Sequence, residues 1–382
     1  MKDQSFRTKA VHSGLSKTGN IKSKSTPIYQ TSVFSFNSLE ELEGYFEGET
    51  PYLYTRNGNP NTDELAKAVA ALEGAPEGVA ASSGLGAILA GILAAAQSGD
   101  HVVAASDLYG GTYHLIKEEL QAFGIATSFV DFSDHQAVEA AIQPNTKLLY
   151  SETISNPFLR VENIERLTEI AKKHGLSVMM DNTFATPYLL QPFAQGVDLV
   201  VHSATKYIGG HSDVTAGVLV GSKELIEKSR SRIVNMGMNL SPFESWLAYR
   251  GLKTLAIRME CQTKNAQELA DFLQAHRGVK KTYYPKYVSE QGNGAMVSIE
   301  LNEGVDMNRF FSSLGWIKIV PSLAGVETTV SYPLGTSHRS LTEDEKSALG
   351  INERVVRISV GIEEPADIIN QIEQAIHTAF VR

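Results

Sequence analysis

Residues 198–213 read Asp198-Leu-Val-Val-His202-Ser-Ala-Thr-Lys206-Tyr-Ile-Gly-Gly-His-Ser-Asp213. The first five form a short apolar run with the length of a buried strand. A lysine follows among small residues, and a Gly-Gly turn closes the segment. Working toward the N-terminus, residues 177–181 and 147–152 are further apolar runs, each closed by an acid. Residues 127–131 and 101–105 add two more, and 78–84 runs from a strand into a glycine turn. Helical spacing fills the gaps at 63–73, 84–97, 111–123, 137–142 and 164–174. Beyond the lysine, 242–276 reads as one long helix. Then come a strand at 294–301, a helix near 306–314 and a strand at 355–360. This alternation predicts an α/β fold with a mostly parallel central sheet flanked by helices, and a smaller α+β unit toward the C-terminus. Residues 1–56 lack periodicity and read as an N-terminal arm. The expected division is 1–56 arm, 57–255 large domain and 256–382 small domain. No internal repeat or low-complexity segment interrupts it.

Composition narrows the function. One hydrophobic core rarely grows past about 250–300 residues, so 382 residues predict more than one domain. A formal net charge of −9, without any Lys/Arg block, speaks against nucleic acid and anionic membranes as partners. Residues 1–14 lack the apolar core of a signal peptide, and no run is long enough to cross a bilayer. The single cysteine, Cys261, rules out an intrachain disulfide and a cysteine-based zinc site. It sits in a helical pattern and reads as inert. No metal is expected, and the cytoplasm is the expected compartment.

In open α/β sheets ligands bind beyond the carboxyl ends of the strands, which directs attention to 82–84, 107–109, 152–156, 181–182 and 202–206. Lys206, after a strand and among small residues, can be partly buried, which lowers its pKa and suits Schiff-base chemistry. A solvated lysine is the plain alternative. Asp181 at a strand end could keep a pyridine nitrogen protonated, or simply cap a turn. Ser82-Ser83-Gly84-Leu85 offers free backbone N–H groups at a helix start, suited to phosphate; many helices begin this way. No Gly-x-Gly-x-x-Gly dinucleotide signature is present. Tyr109 could stack on a flat ring or be a rim tyrosine. Tyr54 and Arg56 could clamp an anion or form a surface turn. Arg357, mid-strand in Val-Val-Arg-Ile-Ser, needs a partner if buried: a substrate carboxylate or a structural acid.

Taken together, in this order, these segments closely resemble the cystathionine γ-synthase/γ-lyase family of Cys/Met-metabolism PLP enzymes. The most specific is His202-Ser-Ala-Thr-Lys206-Tyr-Ile-Gly-Gly-His-Ser-Asp213. Support comes from Tyr54-Thr-Arg56, Ser82-Ser-Gly84, Tyr109-Gly-Gly, Ser155-Asn-Pro157, Asp181-Asn-Thr-Phe184, Ser322-Leu323 with Gly325-Val-Glu327, and Arg357-Ile-Ser-Val-Gly-Ile-Glu363. The resemblance implies a fold-type I, aspartate-aminotransferase-like enzyme. It also implies a homotetramer built as a dimer of dimers, with the active site shared between two subunits. Pyridoxal 5'-phosphate is the implied cofactor and a small sulfur amino acid the implied substrate. By the same resemblance Lys206 carries the cofactor and moves protons, Asp181 meets the ring nitrogen, and Tyr109 stacks on the ring. Gly84, Leu85, Ser203 and Thr205 hold the phosphate, with Tyr54 and Arg56 reaching the phosphate of the neighbouring subunit. Asn156, Ser322, Glu327 and Arg357 orient substrate, Arg357 on its α-carboxylate. Lys206, Tyr109 and Tyr54 are the implied catalytic residues.

Departures from the family pattern bear on the reaction. Asn61, Leu85 and Ala324 stand where the family usually has threonine, methionine and glycine. Gly111 replaces the cysteine usual in methionine γ-lyases, against that activity. Glu327 resembles the acid found in γ-lyases and γ-synthases. Leu53 replaces an acid common in cystathionine-handling relatives, pointing to different distal recognition. The expected activity is γ-elimination of cystathionine, with some β-elimination. The alternatives are γ-replacement of the cystathionine γ-synthase or O-acylhomoserine sulfhydrylase type, cystathionine β-lyase or methionine γ-lyase activity, and an inactive regulatory or binding protein.

Overall fold

A computed structural model describes residues 4–14, 23–339 and 341–380; residues 1–3 and 15–22 of the expected arm lie outside them. Seven strands form the central sheet: β1 (Glu77–Ala81), β2 (His101–Ala105), β3 (Ala126–Val130), β4 (Thr146–Glu152), β5 (Ser177–Asp181), β6 (Leu199–Ser203) and β7 (Gly217–Gly221). Their order is β1-β7-β6-β5-β4-β2-β3. The β6–β5–β4–β2–β3 ladder is parallel; β7 runs antiparallel to both neighbours. The expected mostly parallel sheet is present. The strands read as near-continuous apolar runs because both faces are covered: β2 and β7 are buried along their whole length, as sheets sandwiched by helices require.

A second sheet follows, of β8 (Val279–Tyr283), β9 (Met296–Leu301), β10 (Lys318–Ile319), β11 (Thr329–Ser331) and β12 (Val355–Ser359), in the order β10-β11-β12-β9-β8. Its core is separate, with Val297, Ile299, Val356 and Ile358 packed on the helix Pro365–Ala379. The helix Leu255–Gln274 serves both cores: Leu255 and Met259 join the first, Leu269 and Leu273 the second.

Two local expectations change. The single helix over 242–276 is two helices, Pro242–Leu252 and Leu255–Gln274. The break follows from Gly251. A Cβ there would lie 2.1 Å from the Gly209 carbonyl oxygen, so only glycine lets this helix end approach the turn after Lys206. The Gly251 carbonyl then accepts from the Thr254 hydroxyl at 3.0 Å and the Arg258 guanidinium at 2.9 Å, ending the regular ladder. The aperiodic arm also contains two short helices, Phe6–His12 and Leu39–Glu47. The latter is capped by the Ser38 hydroxyl, which accepts from Glu41 N–H at 3.1 Å.

Candidate active site

A cavity of about 360 Å³ opens where the carboxyl ends of β4, β5 and β6 meet residues of the second sheet. The crevice position is the one expected for parallel sheets. It gathers Lys206, Asp181, Tyr109, Arg357, Asn156 and Ser322, and, on a second wall, Gly84, Leu85, Ser203 and Thr205.

Lys206 follows β6 in a turn closed by Gly209 N–H to Ala204 O at 2.8 Å and Gly210 N–H to Lys206 O at 2.7 Å. Its Nζ donates to Ser322 Oγ at 2.8 Å, across from the second sheet. Burial, with the Arg357 cation nearby, lowers its pKa to about 8. An amine near neutrality at working pH can attack a carbonyl and can both take and give a proton.

Asp181 ends β5 and accepts from Thr183 N–H at 2.9 Å. Burial pushes its carboxyl up, while the bonds from Thr183 pull it back toward the ionised form. Behind it lies a fully buried network. One oxygen of Glu73 accepts from Asn182 at 2.7 Å and bonds His202 Nε2 at 2.8 Å, tying together the ends of β5 and β6. Thr183 Oγ1 accepts from Ser203 N–H at 2.8 Å and repeats that tie one layer closer to the cavity.

The phosphate-suited wall is the start of the helix Gly84–Ala95. Ser83 caps it, its hydroxyl accepting from Gly86 N–H at 3.0 Å. Among the described residues no acceptor meets the N–H groups of Gly84 and Leu85, which are the orphan donors of a helix start. A Cβ on Gly84 would lie 2.8 Å from Ser203 Cβ, so glycine is what lets this wall close. Thr205 lines the cavity but spends its hydroxyl on Ala216, donating to the carbonyl at 3.2 Å and accepting from the N–H at 3.0 Å.

Arg357 lies in β12, paired in register with Ser331 and Ser298, and is 2% exposed. Its Nε donates to Ser331 Oγ at 3.1 Å and its Nη1 to Asn156 Oδ1 at 2.7 Å. Among the described residues no carboxylate is paired with it, and Nη2 has no bond. Burial lowers its pKa to about 10. A buried guanidinium held by neutral oxygens, facing a cavity, is poised for an incoming carboxylate.

Glu327, expected here, stands elsewhere, while Tyr54 and Arg56 were expected at the cavity of a neighbouring subunit and not at this one. Tyr54 and Arg56 do not line the cavity. The Arg56 guanidinium lies 5.1 Å from the Tyr54 ring centroid, and Tyr54 is 38% exposed. Glu327 is outside the lining too, its carboxylate accepting from Lys318 at 3.3 Å. Conversely, Glu152 enters the site: it lines the cavity and accepts from Tyr109 N–H at 2.8 Å. The signal that could have found it was the one used for Asp181, an acid closing an apolar strand. His338 lay outside any readable pattern. It is fully buried, bonds the Asn156 carbonyl oxygen at 3.2 Å, and burial holds its pKa down to about 4.

These features fit pyridoxal phosphate: a reactive buried amine, an acid for a ring nitrogen and unspent N–H donors for a phosphate. The family model for Cys/Met metabolism PLP-dependent enzymes matches residues 7–377. A cystathionine β-lyase of Lactococcus lactis subsp. cremoris is 40% identical, over 97% of this chain and 99% of its own length. A cystathionine γ-lyase of Bacillus subtilis is 39% identical, over 97% and 98%. The crystal structure of cystathionine γ-lyase from Lactobacillus plantarum with L-serine superposes with a TM-score of 0.93 at 36% identity, covering 98% of this chain and 99% of that one.

Proposed function

Because the chain belongs to the family of Cys/Met metabolism PLP-dependent enzymes, with carbon–sulfur bond chemistry as its class, we propose that it cleaves cystathionine by γ-elimination to cysteine, 2-oxobutyrate and ammonia. The observation that carries this is the shared cavity of Lys206, Asp181 and the carboxylate-free Arg357. Bound pyridoxal phosphate supplies an aldehyde for a primary amine and an electron-withdrawing ring that delocalises charge left on the α-carbon.

The residues divide the remaining work. Arg357 takes the substrate α-carboxylate through its unspent Nη2 while Asn156 and Ser331 hold the guanidinium in orientation. Asp181 keeps the ring nitrogen protonated. The Gly84 and Leu85 N–H groups and Ser203 hold the phosphate, and the Tyr109 ring covers the cofactor face. Lys206 Nζ, steadied by Ser322 Oγ, removes the α-proton and is placed to take a second proton from the β-carbon, the step that separates γ- from β-elimination. One base would then serve two successive carbons, handing the α-proton on to the bound cofactor before it takes the second, and an amine titrating near 8 can both accept and give up a proton.

Two further assignments belong to the same reading. Tyr54 and Arg56, stacked on the chain's outside, complete the cavity of a second copy in a homotetramer of two dimers. The cytoplasm is the compartment; among the described residues no helix is long and apolar enough to cross a membrane. Glu327, paired with Lys318 and off the cavity lining, acts on reaction choice from outside the cavity.

The test is to identify products after giving purified, cofactor-loaded protein L-cystathionine. 2-Oxobutyrate with cysteine is expected. Pyruvate with homocysteine would instead make it a β-lyase, and no cleavage would end the lyase reading. A second expectation concerns pH. Only the neutral amine attacks an aldehyde, so cofactor attachment to stripped protein should accelerate with pH and level off above about 8, not near the ordinary lysine value of 10.5. A rate still climbing past pH 9.5, followed by absorbance, would contradict a buried Lys206.

A further inference from the structure

Glu152 and Asp181 end neighbouring parallel strands and are paired in register. Both line the cavity. Two carboxyls side by side in a buried cleft cannot both ionise cheaply, so their environments decide which keeps the proton. Asp181 is the better solvated by protein: it accepts from Thr183 N–H at 2.9 Å, and the Thr183 hydroxyl also favours its ionised form. Glu152 receives only the Tyr109 N–H, on Oε1. Among the described residues its other oxygen has no hydrogen bond, and the residue is 7% exposed.

The charges around Glu152 do not reverse this. The Arg160 cation acts on Glu152 in the opposite sense, but it is already matched. It forks onto Asp107 through two bonds of 2.8 Å and reaches Glu162 at 3.1 Å. Asp107 itself, on the loop after β2, adds negative charge, and the Tyr150 hydroxyl below is neutral. Arg357 and Lys206 face the same cavity, the first reserved for a substrate carboxylate and the second consumed by the cofactor. Burial and the charge of Asp181 push the Glu152 carboxyl well above the ordinary range.

We propose that Glu152 is a protonated carboxylic acid in the holoenzyme and serves as a positioning residue, fixing the main chain of Tyr109 and leaving Asp181 the sole anion opposite the ring nitrogen. This rests on the cofactor reading above. A neutral acid can hold the Tyr109 N–H through its carbonyl oxygen and still offer its O–H to the cavity.

The test compares the parent holoenzyme with Glu152→Gln and Glu152→Ala. Glutamine reproduces the neutral acid: its oxygen accepts from Tyr109 and its amide donates where the O–H does. In the parent-minus-Glu152→Gln infrared difference spectrum at pH 8, a protonated-carboxyl carbonyl band is expected. The visible band of Glu152→Gln should titrate as the parent does. Glu152→Ala, which frees the Tyr109 N–H, should release the cofactor about tenfold more readily, with glutamine restoring retention. The proposal is overturned if the infrared band is absent, or if Glu152→Gln moves the visible titration by more than about one pH unit, since each such unit marks a change in charge near the chromophore. Visible colour in the parent reports the cofactor reading and the infrared band reports Glu152, so the two can fail separately.

Discussion

Lys206→Ala protein should fold normally and lose its turnover. In the proposed function Lys206 both holds the cofactor and moves two protons, and removing a positioned acid–base group alone costs about 10²–10⁴-fold in rate. The fold should survive because the amine contributes no packing that alanine disrupts. It is a buried cation at neutral pH, with its pKa pushed down by burial and by Arg357, and among the described residues its one hydrogen bond runs to the Ser322 hydroxyl. The parent should be yellow and lose that colour on borohydride treatment, whereas the variant should hold cofactor only by its phosphate and ring contacts, without the lysine-linked band. A variant that turns over at more than a tenth of the parental rate would move the proton chemistry to another residue. The melting temperature, read beside the rate, separates lost chemistry from lost folding.

Arg357→Leu should produce the second largest effect, and of a different kind. Among the described residues the guanidinium in β12 has neutral partners only, and in the proposed function its counter-charge comes from the substrate. Truncating one side of a buried, hydrogen-bonded charge pair costs about 2–5 kcal/mol, or about 30-fold to several thousand-fold in kcat/KM. The loss should appear mainly as a raised KM for substrates bearing an α-carboxylate. For an amine analogue without that carboxylate, parent and variant should bind alike. Equal losses for both compounds would mean that Arg357 holds the site together instead of reading the substrate. Leucine leaves Asn156 Oδ1 and Ser331 Oγ without their donor, so a modest fall in stability is expected as well.

How much of this could be read from residues alone depended on where the information lay. Strand alternation exposed the central sheet because its strands are buried on both faces and its turns are marked by glycine. The chemistry-bearing residues at strand ends, Asp181 and Lys206, stood out because a charged group closing an apolar run has few structural explanations. The break at Gly251 was not legible, since Gly-Leu-Lys-Thr continues a helical pattern. Only the approach of the Gly209 carbonyl, 42 positions earlier in the chain, explains why the helix stops. Arg357 could be named but not decided between an ion pair and a ligand contact, because its partners Asn156 and Ser331 come from distant segments. Glu152 carried the same signal as Asp181, an acid closing an apolar run, but His338 was hidden, because its role lies in what it faces across the fold. The likeness of whole segments to a known family supplied roles that spacing could not, among them those of Asn156 and Ser322, both of which line the cavity.

The most direct measurement is peptide mapping by mass spectrometry after borohydride reduction of the purified, cofactor-loaded protein. Reduction fixes the carbon–nitrogen bond between cofactor and lysine. The phosphopyridoxyl mass is expected on the peptide that contains Lys206, in near-stoichiometric amount and on no other. Label on a different lysine, or none in protein that has been exposed to the cofactor, would contradict the account at its centre.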